Sequence, residues 1–299
     1  MVAAKAAIVR TGLKPVQRSK TTKQQLPAVL CLGGMDPSGG AGLQADIQSI
    51  TSLGCHPLPI VTCLTAQSTC ELKQWQSVAP DFLAAQLDCV LTDFTPQAIK
   101  LGMLGATEII ISFLSSLSKF NVLLQVPIVC DPVLGASAGG RLSQTDVPNM
   151  LVKALLPKVR LLTPNRTELQ TLAQQLGEHS QIIAVQIKCL LALGCEAICV
   201  TDGDTTAAQI ENSLWTKEGC VYRKRWLKEP GRYHGTGCTF ASLCATGLAL
   251  GKSLVQAVAT ADALTVQAVQ TCTVHGQCQG IPNRHDILKL RTFERAILD

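Results

Sequence analysis

Six short, almost continuously apolar runs, at 28–33, 59–64, 98–103, 127–130, 160–163 and 197–201, alternate with segments of helical period along this chain. A strand that is apolar on both faces must be covered on both faces. Runs of this kind separated by helices therefore specify a parallel sheet with a helix layer on either side. The helical segments fall at 40–53, 80–91, 107–117, near 147–156, and at 165–176, 181–193, 235–250 and 254–269. The first carries Leu43, Ile47 and Ile50 at helical spacing, and Pro80 suits the first turn of the second. Two segments of period two, 212–216 and 220–226, read as an antiparallel pair at one edge. The fold class expected is a three-layer α/β/α domain around a mostly parallel sheet.

Composition narrows the function. Hydrophobic residues make up 47% and charged residues 16%, enough for a large core and too apolar for a disordered body. Aromatics are only 4%, which argues against a base-stacking single-strand binder. No apolar run approaches the roughly 20 residues of a membrane span. The net charge of +5 suggests nucleic acid until it is placed along the chain. Residues 1–27 hold six bases and no acid, which leaves 20 bases and 21 acids in residues 28–299. The first 27 residues read as a disordered basic tail and 28–299 as a single domain with no basic face for nucleic acid or membrane. The tail lacks the apolar stretch of a secretory signal, and it is Lys-rich where a transit peptide is Arg-rich. A cytoplasmic protein is expected.

The 14 cysteines lie mostly in apolar segments, with no C-x-x-C pair, and read as small buried hydrophobes in a reducing compartment. Cys272-x-x-His275-x-x-Cys278 has two spacings compatible with zinc, but Gly276 and Gly280 mark it as an ordinary helix end.

In sheets of this class, ligands sit beyond the carboxyl ends of the strands. Glycines, amides and carboxylates recur there: the loop 33–42, Thr65-Ala66-Gln67, Gly102-Met103-Leu104-Gly105, Asp131-Pro132-Val133, Asn165-x-x-Glu168 and Asp202-Gly203-Asp204. Gly40-x-Gly42-x-x-Ala45 resembles a dinucleotide fingerprint, but no acid stands between Asp46 and Glu71 to hold a ribose. The loop reads instead as backbone approaching a small ligand, with Asp36 pointing into the site. The second glycine motif, His234-Gly235-Thr236-Gly237-Cys238-Thr239, opens an apolar helix. Its free amides and the helix dipole make an anion hole suited to a transferring phosphoryl group, without the Gly-Lys-Ser/Thr of a Walker loop. Cys238 in the first turn is expected to have a lowered pKa. A Cys238–His234 hydrolase pair lacks any supporting signature.

Taken together, Gly33-Gly34-x-Asp36-Pro37-Ser38-Gly39-Gly40-Ala41-Gly42-x-Gln44-Ala45-Asp46, Thr65-Ala66-Gln67, Gly102-Met103-Leu104, Asp131-Pro132-Val133, Thr163-Pro164-Asn165-x-x-Glu168 and the 234–239 motif resemble the hydroxymethylpyrimidine (phosphate) kinases of thiamine biosynthesis, members of the ribokinase-like superfamily. The resemblance runs from about residue 28 to about residue 269 in consistent order. It implies a single, usually homodimeric, α/β/α domain. ATP and Mg2+ would serve two successive phosphorylations of 4-amino-5-hydroxymethyl-2-methylpyrimidine, first to the monophosphate and then to the diphosphate.

Carried over by position, Gln67 would read the aminopyrimidine edge, Gly34 and Asp36 would line the same pocket, and Met103 and Val133 would wall it. Gly235, Thr236 and Gly237 would form the anion hole, with Cys238 as the base. Asn165, Thr201, Gly203 and His234 would face ATP, and Asp131 and Glu168 would hold magnesium. Many relatives carry a Lys-Gly-Gly-His turn where this chain has Thr201-Asp202-Gly203-Asp204, so Asp202 would act through magnesium. A pyridoxal kinase and a non-catalytic pyrimidine sensor are the rival readings.

Overall fold

The computed structural model describes residues 25–136, 139–203, 207–285 and 287. The basic tail lies outside them except for its last three residues, and so does Asp204. Nine strands form one sheet: β1 (Ala28–Met35), β2 (His56–Gln67), β3 (Leu72–Ser77), β4 (Ala98–Leu101), β5 (Ile128–Cys130), β6 (Leu161–Leu162), β7 (Ala197–Val200), β8 (Gln209–Thr216) and β9 (Gly219–Leu227). Their order is β3-β2-β1-β4-β5-β6-β7-β8-β9. The six inner strands, β2 to β7 with β1 among them, run parallel. The expected antiparallel pair, β8 and β9, closes one edge. At the other edge β3 pairs antiparallel with β2. That strand carried no apolar alternation in the sequence. It exists because β2 runs on to Gln67 and offers it a ladder.

The inner strands divide their side chains between two cores. Leu30 and Leu32 of β1 pack into one, and Val29 and Cys31 into the other. The first core takes α2 (Pro80–Asp93), α3 (Thr107–Lys119), α5 (Arg166–Gln174) and α6 (Ile183–Leu191). The second takes α1 (Gly42–Ser52), α7 (Thr236–Ala249) and α8 (Leu254–Gln270). The segment expected as a helix near 147–156 starts as the short α4 (Val147–Met150) and continues through a wide turn and a tight one. Both faces are therefore sealed, the physical reason the inner strands are apolar without alternation.

From β1 the chain steps to β2 on one side, and later to β4 on the other. This reversal is a topological switch point, and it opens a crevice at the carboxyl ends of β1 and β4. The loops after those strands carry the first glycine motif and Met103. Among the described residues no helix is long and apolar enough to cross a membrane.

Buried cysteines such as Cys31, Cys130, Cys199 and Cys244 fill the cores, as expected. Cys278 departs from that expectation: it pairs with Cys70 in a disulfide, joining the β2–β3 turn to the segment after α8. The disulfide takes up Cys278, one of the two cysteines of the 272–278 spacing, and among the described residues no three His, Cys, Asp or Glu side chains converge as a metal set.

Candidate active site

Every one of the fifteen site positions named from the sequence lines a single cleft of about 1120 Å³. The cleft also takes in Lys100, Asp262 and the turn 139–142, which sequence reasoning did not select.

The first glycine loop is organised by Asp36. Its carboxylate accepts hydrogen bonds from the Ser38 amide (2.8 Å), the Ser38 hydroxyl (2.9 Å) and the Ala41 amide (2.9 Å). His234 Nε2 lies 2.8 Å from the same group. A charged carboxylate only accepts, so Nε2 carries the proton. Burial alone would raise the Asp36 pKa, but the bonds from His234 and Ser38 outweigh it and hold it at about 2. Asp36 and His234 were read as contacts to substrate and to ATP. Both line the cleft, and their facing groups bond each other and so link the two glycine loops.

Those loops interlock backbone to backbone. Gly235, the residue before α7, has φ of +83°, and a Cβ there would overlap the Gly40 carbonyl oxygen. A Cβ on Gly40 would in turn overlap the His234 ring. Glycine is required at both because the approach leaves no room for a side chain. The first amide of α7 bonded back along the chain is that of Thr239, to Gly235. The amides of Thr236, Gly237 and Cys238 precede it at the dipole's positive end. A Cβ on Gly237 would meet nothing nearer than Asp131 Oδ2 at 3.8 Å, so space for a ligand oxygen adjoins this turn.

Behind the anion hole lies a buried charge cluster. Lys100 of β4 is fully buried, and its Nζ donates to Asp46 Oδ1 at 2.8 Å. Ser242 of α7 donates to the same oxygen at 2.7 Å. Burial works against the Lys100 charge, but Asp46, Cys238 and Asp131 outweigh it and raise its pKa. Asp131 is raised by burial and by Asp46, against the opposing pull of Lys100 and a hydrogen bond from Cys238.

Here the sequence-based expectation for Cys238 fails. Burial, with Asp131 and Asp46 nearby, pushes its thiol up to about 12, despite Lys100 and an amide bond from Gly42. The helix N-terminus does not lower this thiol because its burial, and after that the two carboxylates in its pocket, act the other way. A signal for the cluster did exist: Lys100 is a charge inside an otherwise apolar strand.

The wall opposite the anion hole is apolar. Met103 packs with Cys63 and Leu142, and Leu72, Trp75, Val133 and Ala136 close around them. Gly34 lets the Met103 sulfur approach, since a Cβ there would stand 2.9 Å from it. Trp75 of β3 donates to the Arg141 carbonyl at 3.0 Å and holds the 139–142 turn over this wall. Gln67 ends β2 at the rim, and no hydrogen bond among the described residues takes up its side-chain amide.

At the far end, Asn165 caps α5. Its side chain accepts from the Glu168 amide at 2.8 Å, and Glu168 Oε2 accepts from the Asn165 amide at 3.0 Å, a capping box. Glu168 Oε1 also accepts from the Leu134 amide at 3.2 Å. Thr201 bridges to Asn165, and Gly203 follows it on the cleft wall. Asp202 does not line the cleft. Its carboxylate is gripped by Arg166, with Nε 2.7 Å from Oδ1, so the magnesium role expected for it has no geometry. Asp262 of α8 accepts from Asn212 (2.7 Å), Tyr222 (2.9 Å) and Trp226 (2.9 Å), stapling β8 and β9 to this end of the cleft. Asp262 and its three donors lie 36 to 50 positions apart and meet only through the fold, and no local pattern announced them.

Comparison with known proteins gives one consistent family. The phosphomethylpyrimidine kinase family matches residues 36–283. The hydroxymethylpyrimidine/phosphomethylpyrimidine kinase of Salmonella typhimurium is 36% identical over 218 residues, 72% of this chain and 80% of that protein. The pyridoxal kinase from Staphylococcus aureus in complex with AMP-PCP superposes with a TM-score of 0.77 at 26% identity, covering 87% of this chain and 94% of that one. The phosphomethylpyrimidine kinase from Clostridium difficile gives a TM-score of 0.68 at 26% identity, over 82% and 99% of the two chains.

Proposed function

This chain belongs to the phosphomethylpyrimidine kinase family, and from that premise we propose how its cleft carries out the two phosphorylations of 4-amino-5-hydroxymethyl-2-methylpyrimidine with ATP. The observation that carries the reading is the shared cleft, which has an amide-lined helix start at one wall and an uncommitted Gln67 amide with an apolar wall at the other. A side-chain amide offers a donor and an acceptor together, the pattern an aminopyrimidine edge complements. Met103 and Val133 cover the ring faces. The hydroxymethyl group then lies toward Cys238, and the transferring phosphoryl group toward the amides of Thr236 and Gly237.

Cys238 works here as a relay. A thiol held at about 12 is protonated at neutral pH. As its sulfur takes the proton of the hydroxymethyl oxygen, its own proton passes to the neighbouring Asp131 carboxylate. Lys100 keeps that carboxylate within reach of its charged form. The second phosphorylation starts from an ionised phosphate oxygen and needs no relay.

Magnesium, when bound, would neutralise charge on the phosphates. Glu168 fits it by the chemistry of its donor set: a carboxylate on the cleft wall, oriented by the Leu134 and Asn165 amides. Phosphate oxygens and water would complete the shell, as is usual for this ion. Asp131, read from the sequence as a second ligand, is assigned instead to Cys238. Asn165, Thr201 and Gly203 face the nucleotide beside it.

We further propose a homodimer, since Met35 and Leu64 stand exposed side by side where β1 ends against β2. We also propose a cytoplasmic setting, since twelve of the fourteen cysteines stand outside any disulfide, Cys70 and Cys278 being the pair that forms one.

The test is turnover of the purified protein with ATP, Mg2+ and either the hydroxymethylpyrimidine or pyridoxal. Two ADP per pyrimidine supports this reading. Turnover of pyridoxal alone would replace it with the rival kinase, and saturable pyrimidine binding without ADP would replace it with a sensor.

A further inference from the structure

The largest fully buried side chain is a cation outside the mechanism above. Arg284 is 1% exposed and lies one residue beyond the matched span. The segment after α8 delivers it. The Asn283 amide bonds the Ala268 carbonyl at 2.7 Å, Thr273 bridges to Ile281, and the His234 amide bonds the Gly280 carbonyl at 2.9 Å.

The guanidinium then reaches four oxygens on separate parts of the site. Nε donates to Thr239 Oγ1 (2.8 Å) and Nη1 to Gln48 Oε1 (3.2 Å). Nη2 donates to the Gly40 carbonyl (2.7 Å) and more loosely to the Gly235 carbonyl (3.4 Å). All four acceptors are uncharged, and among the described residues no carboxylate forms an ion pair with it. A buried cation held this way is not explained as a stabilising ion pair.

The peptide plane says what the grip accomplishes. A trans peptide points its C=O and N–H in opposite directions. The Gly235 oxygen is held back by the Thr239 amide (3.0 Å) and hydroxyl (2.8 Å), with Arg284 fixing that hydroxyl through Nε and adding a looser bond of its own, and this turns the Thr236 amide the other way. The Gly40–Ala41 peptide is fixed at both ends, its oxygen on Arg284 and its amide on Asp36. Only a planar fork satisfies acceptors in several directions at once, and an ammonium on a flexible stem cannot.

Resting on the kinase reading above, we propose that Arg284 is a positioning residue for phosphoryl transfer, clasping the Gly40 and Gly235 carbonyls so that the two glycine loops hold the anion hole in register. It touches no reacting atom. Its loss should act on the transition state, where misplacement of about 1 Å costs on the order of 100-fold.

The experiment compares full-length wild type, Arg284→Lys, Arg284→Met and Gln48→Met, with ATP, Mg2+ and the hydroxymethylpyrimidine. Gln48→Met removes the Nη1 acceptor, whereas Thr239 is left in place because its hydroxyl itself bonds the Gly235 carbonyl. Expected are a fall in kcat of roughly 30- to 100-fold in both Arg284 variants and about 5-fold in Gln48→Met, with KM for the pyrimidine within about threefold. Lysine should do little better than methionine. A kcat within about threefold of wild type in folded Arg284→Lys, or a loss confined to KM, would overturn the clasp. If neither Arg284 variant folds, Gln48→Met decides: unchanged kcat overturns the proposal and a reduced kcat at unchanged KM supports it. Wild-type protein that forms no ADP would overturn the kinase reading itself, a separate result.

Discussion

Replacing Cys238 by alanine and following the alcohol step across pH separates a thiol relay from a thiolate base. With the thiol held at about 12, only about one molecule in 10⁵ is ionised at pH 7, so a standing thiolate costs about 7 kcal/mol. General base catalysis is worth about 10²- to 10⁴-fold, or roughly 3–5 kcal/mol. The thiolate route therefore loses more than it gains, whereas the relay needs only a charged Asp131. The Asp131 pKa is raised by burial, so the active form is present above its pKa and lost as pH falls through it.

The assay is the rate of the first phosphorylation from pH 5 to 9.5, taken as the ratio of wild type to Cys238→Ala at each pH. The ratio cancels the titration of ATP. It should rise through an inflection above the ordinary carboxylate value of about 4 and reach a plateau of about 100-fold that holds to pH 9.5. The second phosphorylation should change less than about threefold. A ratio climbing tenfold per pH unit to the alkaline end, or equal losses in both steps, would refute the relay.

Asp36→Asn should weaken the fold by up to about 2 kcal/mol at pH 7, because the folded carboxylate sits near 2 against an ordinary 3.8. Its contribution is complete above the ordinary value and is lost as pH falls through the folded one, so urea titrations should show the gap about halved by pH 3. A gap independent of pH would contradict the assignment. Asp46→Ala leaves the buried Lys100 charge unpaired and should cost about 3–5 kcal/mol, while Asp46→Ala with Lys100→Met should recover much of it. Equal unfolding midpoints for the single and double variants would count against the ion pair. Removing residues 1–24 should leave kcat and KM at wild-type values, since the basic tail lies apart from the nearly neutral body in charge; a large loss of activity would show that it takes part.

Much of the site was legible in the chain because strand ends in a parallel sheet converge on one edge. Once the apolar runs were placed, Gly34, Gln67, Met103, Asp131 and Asn165 had to meet there. Their partners were not legible. Asp36 and His234 carry groups a ligand could use, and nothing local shows that they use them on each other across 198 positions. Lys100 was visible as a charge in an apolar strand, but its partner Asp46 was hidden in a helix that reads as amphipathic. Arg284 follows no motif.

The amino-acid sequence by itself determined the layering, the edge on which the strand-end loops converge and the glycine loops at that edge, because periodicity and backbone sterics are local. Only the tertiary structure decided which charges are satisfied and by what. A first-turn cysteine has a lowered pKa when a helix dipole is its main neighbour. In this fold Cys238 sits among Asp131, Asp46 and Lys100, residues spread over nearly 200 positions, and burial with two carboxylates outweighs the dipole. Electrostatics depends on distance in space and on exclusion of water, and neither is written in the spacing of residues along a chain.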